Sequence, residues 1–142
     1  MVIWFDMDGT FVNLYGVENW LEMLQNCNEI PYEIAKPLIN MNSFARCLNC
    51  LKKRGYEIGI ISWLAKNSNT EYDEKVTKAK KDWLKKHLKS VQFDYVDIVK
   101  YGTPKNENRN GVLFDDEEQN RNMWGSGAYN VHNILEVLRE LY

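Results

Sequence analysis

Three short apolar runs, each stopping on an acidic or hydroxyl residue, limit what this chain can become more than anything else in it. Val2-Ile3-Trp4-Phe5 stops at Asp6-Met7-Asp8-Gly9-Thr10, Ile58-Gly59-Ile60-Ile61 stops at Ser62, and Val112-Leu113-Phe114 stops at Asp115-Asp116. Runs this short and this continuous fit strands buried on both faces, as in a parallel sheet, better than half-exposed strands, which alternate. Phe93 to Val99 is a further strand candidate, and Gly127 to Asn130 a brief last one.

Helical patterns fill the intervals. Glu18 to Asn26, with Trp20, Leu21, Met23 and Leu24, predicts a short helix, and Pro31 or Pro37 starts the next, since proline fits a first helical turn. Phe44, Cys47, Leu48 and Leu51 recur at helical spacing, and Lys52-Lys53-Arg54-Gly55 closes that helix with cations and a glycine. Glu74 to Leu88 carries Val76, Ala79, Trp83, Leu84 and Leu88 on one side, a clear amphipathic stripe. Glu117 to Trp124 and Val131 to Leu141 complete the set. Strands alternating with helices imply crossover connections, so the expectation is one α/β domain over 1–142, a parallel sheet between helical layers.

Composition excludes several classes. The formal charge of −2 gives no general pull toward nucleic acid or an anionic membrane. No apolar run approaches the roughly 20 residues needed to cross a bilayer, so no membrane partner is expected. The first run lacks a basic lead and meets Asp6 at once, which is unlike a secretory leader. Cys27, Cys47 and Cys50 form no framework; the Cys47 and Cys50 pair lies inside a helical run rather than at a helix start, and His87 and His132 are too far away to complete a zinc site. They read as packed thiols in a reducing compartment, and the cytoplasm is the expected location.

In open parallel sheets, ligands bind beyond the carboxyl ends of the strands. Asp6, Asp8, Ser62, Asp115 and Asp116 all fall at such ends. If these strands are neighbours, four carboxylates gather on one rim, where their mutual repulsion calls for a cation. Oxygen-only ligands favour magnesium, which is satisfied by a few carboxylates, waters and a phosphate. Lys105, in the loop before the last long run, can bring a second positive charge, with Lys100 as its competitor. Such a rim suits phosphoryl transfer, in which a carboxylate attacks phosphorus and a second acid handles the proton. Gly9 is the residue that lets the turn aim both Asp6 and Asp8 inward.

Taken together these residues resemble the motifs of the haloacid-dehalogenase-like (HAD) phosphatases. Asp6-Met7-Asp8-Gly9-Thr10 matches their D-x-D-G-T signature, Ser62 their second motif, Lys105 their third and Asp115-Asp116 their fourth, in order and over nearly the whole chain. The resemblance implies a Rossmann-like three-layer fold and a magnesium-dependent phosphomonoester hydrolase. Asp6 would be the nucleophile and Asp8 the acid/base, with Ser62 and Lys105 holding the phosphoryl group beside Gly9, Thr10 and Trp63. Asp115, Asp6 and the Met7 carbonyl would ligate the metal, with Asp116 as a ligand or support and Asp8 in the same acidic set. Relatives that cleave carbon–halogen or carbon–phosphorus bonds lack an acid at the Asp8 position, which favours phosphate esters here.

Substrate choice in that family usually lies in an inserted cap. The interval after Thr10 has room for only a rudimentary helical cap, around 13–45, and the interval from Lys105 to Asp115 has none. The spacing of Lys105 and Asp115, and the stretch Lys80-Lys81-Asp82-Trp83-Leu84, resemble the 5′-nucleotidase-like branch with its deoxyribonucleotidases, although most of that branch's cap is missing. A nucleotide is therefore the leading substrate, with Phe11, Tyr15, Trp20 and Trp63 as aromatic candidates for stacking on a base or for the core. Lys75, Lys78, Lys80, Lys81, Lys85, Lys86 and Lys89, interspersed with acids, read as a solvated helix face rather than a nucleic-acid surface. Two alternatives stand beside this reading: a phosphatase for nucleic-acid ends or phosphoprotein, and a non-catalytic metal- or phosphate-binding module. A homo-oligomer, in which a partner subunit covers the rim, also stays open.

Overall fold

A computed structural model describes residues 1–141 of the chain. In chain order the elements are β1 (Val2–Phe5), β2 (Val12–Asn13), a 3-10 turn (Leu14–Gly16), α1 (Trp20–Gln25), α2 (Ile30–Ile34), β3 (Lys36–Pro37), α3 (Met41–Lys53), β4 (Glu57–Trp63), α4 (Thr70–His87), β5 (Tyr95–Val99), β6 (Val112–Phe114), α5 (Glu118–Trp124), β7 (Ala128–Tyr129) and α6 (Ile134–Glu140). Five strands form one sheet in the order β5-β4-β1-β6-β7, every pair parallel. This is the expected Rossmann-like α/β architecture. The chain builds outward from β1 to β4 and β5, then returns to place β6 and β7 on the other side of β1. That reversal puts the switch point of the sheet at the end of β1.

The short runs stay strands because both faces are covered. Ile3, Phe5, Ile58, Ile60, Val112 and Phe114 face one way and pack on Phe44, Leu48 and Leu51 of α3 and on Ile134 and Leu138 of α6. Trp4, Ile61 and Leu113 face the other way, under Trp124 of α5 and the loop that follows β5. Gly59 makes room for the Trp4 ring, which would meet any Cβ there at 2.6 Å.

Local signals set the helix ends. The Asn40 side chain accepts from the Ser43 N–H and the Asn69 side chain from the Tyr72 N–H, both at 2.9 Å, so α3 and α4 begin at these caps. Each helix therefore starts earlier than its apolar stripe suggests: α3 at Met41 rather than Phe44, and α4 at Thr70 rather than Glu74. Of the two prolines, Pro31 enters the first turn of α2, whereas Pro37 pairs with Val12 in the small antiparallel β2-β3 ribbon. No helix among the described residues is long and apolar enough to cross a membrane.

Register decides where the site forms. Phe5 is level with Ile60 on one side and Phe114 on the other, so the residues after β1 and β6 leave the sheet together. Gly111, at φ +108° where β6 begins, secures that register, because a Cβ there would fall on the Val2 carbonyl. Gly111→Ala should lower stability by about 1–3 kcal/mol, combining backbone strain with a steric clash against main chain. The check is the midpoint of chemical unfolding followed by circular dichroism.

Candidate active site

Asp6 emerges from the middle of the sheet with its N–H donating to the Phe114 carbonyl at 3.0 Å, which prolongs the β1-β6 ladder by one residue. The chain then turns tightly: the N–H groups of Thr10, Phe11 and Val12 all donate to the Met7 carbonyl, at 3.0, 3.2 and 3.1 Å. Gly9 sits in this turn at φ +82°, and a Cβ there would strike the Asp116 carboxylate. Glycine is thus required both by the backbone and by the close approach of the second acidic strand end.

Asp6, Asp115 and Asp116 each offer a carboxylate oxygen within 4.8 Å of the others. Asp6 and Asp115 are buried, at 6% and 0% exposure, and Asp116 is half-buried. Lys105, itself 3% exposed, donates to Asp6 Oδ1 at 2.9 Å and to Asp115 Oδ2 at 2.7 Å. The Thr10 hydroxyl donates to Asp6 Oδ2 at 3.1 Å. Asp115 is further fixed by the Glu117 N–H at 2.9 Å and the Asn120 side-chain amide at 3.2 Å, while its carbonyl accepts from Arg121.

On the other side of Asp6 lies a second buried cation. Lys80 of α4, 1% exposed, donates to Asp8 Oδ2 at 2.9 Å, to Ser62 Oγ at 2.7 Å and to the Trp63 carbonyl at 2.6 Å. Its ammonium also lies 5.1 Å from the ring centre of Tyr32, from α2.

Protonation follows from this crowding. Burial, reinforced by the Asp6 charge and resisted by Lys105, pushes the Asp115 carboxyl up to about 6. Asp116, with no lysine of its own, is pushed up to about 8 by burial and by Asp6. Burial also raises Asp8, with Lys80 pulling it back. Burial opposes the charge on Lys105, yet Asp6 and Asp115 together carry it above its ordinary value. Three clustered carboxylates with a single shared lysine keep an excess of negative charge. An all-oxygen donor set of that kind fits a hard divalent cation.

The site opens into a cleft of about 620 Å³ whose walls include Tyr15 and Trp20 on one side and Trp63 and Tyr101 on the other. Each pair is in ring contact, at 4.8 Å and 5.0 Å between centroids. The Trp63 indole N–H donates to the Thr103 carbonyl at 2.8 Å, and Lys105 lies 5.2 Å above the Trp63 ring.

The structure brings Asp6, Asp8, Ser62, Lys105, Asp115 and Asp116 to one rim. It is Lys105 that enters; Lys100 is exposed and faces a groove along α4. Other expectations need correction. The Asp8 carboxylate lies outside the three-acid cluster and pairs with Lys80 instead. The Met7 carbonyl is spent on three turn amides rather than turned to a metal. Thr10 is 1% exposed, with its hydroxyl behind Asp6, so it supports that carboxylate rather than a phosphate. Phe11 is fully buried in the core and cannot stack on a ligand.

Lys80 is not part of a solvated face. Its signal was present in the sequence: it falls four residues after Val76 and four before Leu84, in line with the buried stripe of α4. Asn120 and Tyr101 carried no comparable signal.

No protein-family model and no curated protein matches the sequence. Among solved structures, the D,D-heptose 1,7-bisphosphate phosphatase from Burkholderia thailandensis is similar, with a TM-score of 0.58 and 10% identity over 99% of this chain and 97% of that one. At that identity the likeness shows the fold alone: a parallel α/β sheet with flanking helices.

If the acidic cluster takes a divalent ion, magnesium should raise the unfolding midpoint of the native chain, by about 2.7 kcal/mol of stability at a hundredfold excess over its dissociation constant. Asp116→Asn should remove most of that gain, whereas Asp97→Asn, in an ion pair with Arg109 elsewhere, should keep it. Thermal unfolding with and without magnesium chloride is the measurement.

Proposed function

We propose that this chain is a magnesium-dependent phosphomonoester hydrolase that passes through a phosphoryl-aspartate on Asp6. The observation carrying the proposal is the pairing of a buried carboxylate at the switch point of the sheet with Lys105 and with two further carboxylates, all beside an open cleft. The similarity in fold to a phosphatase supports it.

In this reading an oxygen of Asp6 bonds to phosphorus as the ester P–O bond breaks, and the leaving oxygen takes a proton from Asp8. Asp8 then removes a proton from water, whose oxygen attacks phosphorus and releases phosphate with Asp6 restored. The raised affinity of Asp8 for its proton suits the first of these duties. Lys105 neutralises charge on Asp6 and on the transferred oxygens. Magnesium, held by Asp6, Asp115 and Asp116, would supply further charge neutralisation at the phosphoryl oxygens.

Nucleotides are the substrate class the cleft suits best within this reading. Tyr15, Trp20, Trp63 and Tyr101 give it aromatic walls close to the acidic cluster, and bases stack on such surfaces with little dependence on sequence. The exposed lysines of α4 favour a nucleic acid less, because Lys75 and Lys78 already meet Glu71 and Asp82. A reducing, cytoplasmic setting belongs to the same proposal, in keeping with three free cysteines.

Phosphate release from p-nitrophenyl phosphate and from a panel of nucleoside monophosphates tests the proposal. Activity should require magnesium and vanish in Asp6→Asn; full activity in that variant would overturn it. Tyr15→Ala should raise KM for a nucleotide by about tenfold or more, given about 1–3 kcal/mol per stacked base, and leave p-nitrophenyl phosphate much less affected. Paired Michaelis–Menten curves on the two substrates decide that.

A further inference from the structure

Lys80 has a place in the site that neither the motifs nor the phosphate chemistry assigns. We infer that Lys80 is a positioning residue: it orients Asp8 for proton transfer without itself touching the phosphoryl group. The inference rests on the proposed hydrolase reading.

The argument is a count of donors. An ammonium has three N–H donors and no acceptor. Lys80 spends all three, on Asp8 Oδ2 at 2.9 Å, Ser62 Oγ at 2.7 Å and the Trp63 carbonyl at 2.6 Å. At 1% exposure, with the Tyr32 ring 5.1 Å away, it has no donor left to offer a substrate. Lys105 differs, with two carboxylate acceptors and one donor to spare.

The same count fixes its neighbours. Because Lys80 can only donate, Ser62 Oγ must accept, which anchors the ammonium to β4. Because Asp8 Oδ2 is held by Lys80, the carboxyl group is pinned and its other oxygen is the one available to the leaving group. Lys80 thus ties the first loop and β4 to α4 through one charged group, beneath Tyr32 of α2. A lysine placed only to balance charge would not need three directed partners, two of them side chains and one the Trp63 carbonyl.

The role can be told from a merely structural one by leaving group. A phosphate monoester of 2,4-dinitrophenol departs without an acid, whereas an alkyl monoester such as glycerol 2-phosphate needs its oxygen protonated as the P–O bond breaks. In kcat/KM, which reports the steps through departure of the leaving group, Lys80→Met should lose on the order of 100-fold on the alkyl ester, the low end for a general acid, and far less on the dinitrophenyl ester. Asp8→Asn combined with Lys80→Met should be no slower on the alkyl ester than Asp8→Asn alone, since both act through one proton transfer.

Equal losses on the two esters, or losses that multiply in the double variant, would overturn the role given to Lys80. Circular dichroism and unfolding midpoints establish that each variant folds; if Lys80→Met does not, Lys80→Gln, polar but uncharged and too short to reach all three partners, carries the same comparison. A native chain that hydrolyses neither ester overturns the hydrolase reading itself, an outcome distinct from failure of the Lys80 assignment.

Discussion

Everything at this rim follows from bringing carboxylates together where water cannot separate them. Two like charges about 5 Å apart repel by about 3 kcal/mol even at an effective dielectric near 20, and burial adds to that. Asp6, Asp115 and Asp116 meet at this range with Asp8 two residues from the first of them. The chain answers by driving two lysines into positions where lysine is seldom found, at 1% and 3% exposure. Each ammonium lies against one half of the acidic set: Lys105 between Asp6 and Asp115, Lys80 against Asp8. Asp116 is left without a lysine, and burial together with Asp6 pushes its carboxyl up to about 8. The imbalance makes a divalent cation the natural completion of the site and keeps Asp6 from being silenced by a private ion pair.

The fold is arranged to deliver those charges from unrelated parts of the sequence. A parallel sheet with β1 in its centre lets β4 and β6 end on either side of Asp6, and the shared register of Phe5, Ile60 and Phe114 keeps their ends level. The tight turn through Met7 and Gly9 brings the backbone against Asp116 and leaves no room for a side chain at Gly9. Lys80 comes from the middle of a long helix, where it is held rigidly. Lys105 comes from a loop, and that loop is steadied by Trp63, which bonds to Thr103, touches Tyr101 and lies beneath the Lys105 ammonium. One indole next to Ser62 therefore links the end of β4 to the loop that carries Lys105.

How far the sequence could be read depended on whether a signal was local. The strands were legible because continuous apolar runs have few other uses, and the acidic strand ends were legible because topology sends such residues to one rim. Caps were less so: Asn40 and Asn69 extend their helices by three and four residues beyond the apolar stripe, and asparagine is common enough in loops to pass unnoticed. The aromatic residues near the first motif could not be sorted by type, since Phe11 turns into the core while Tyr15 lines the cleft. Lys80 is the instructive case. Six lysines crowded along α4 suggest a wet face, but a helix has only one buried side, and Lys80 shares its row with Val76 and Leu84. Spacing, not charge, was the reliable guide there.

The excursion between β2 and β3 takes on a different meaning once Lys80 is seen. It holds only two short helices, and the cleft mouth stays open beside Tyr15 and Tyr101, both about half exposed. Yet α2 inserts Tyr32, 4% exposed, into a cluster with Leu14, Leu64, Tyr72, Val76 and Ala79 and sets its ring over the Lys80 ammonium. These contacts help keep water from the cation. Without that cover water would compete for the ammonium, and the directed bonds to Asp8 and Ser62 would weaken, since hydrogen bonds gain strength as the local dielectric falls. The same short excursion thus serves two faces: Tyr32 shields Lys80, while Tyr15 and Trp20 line the cleft.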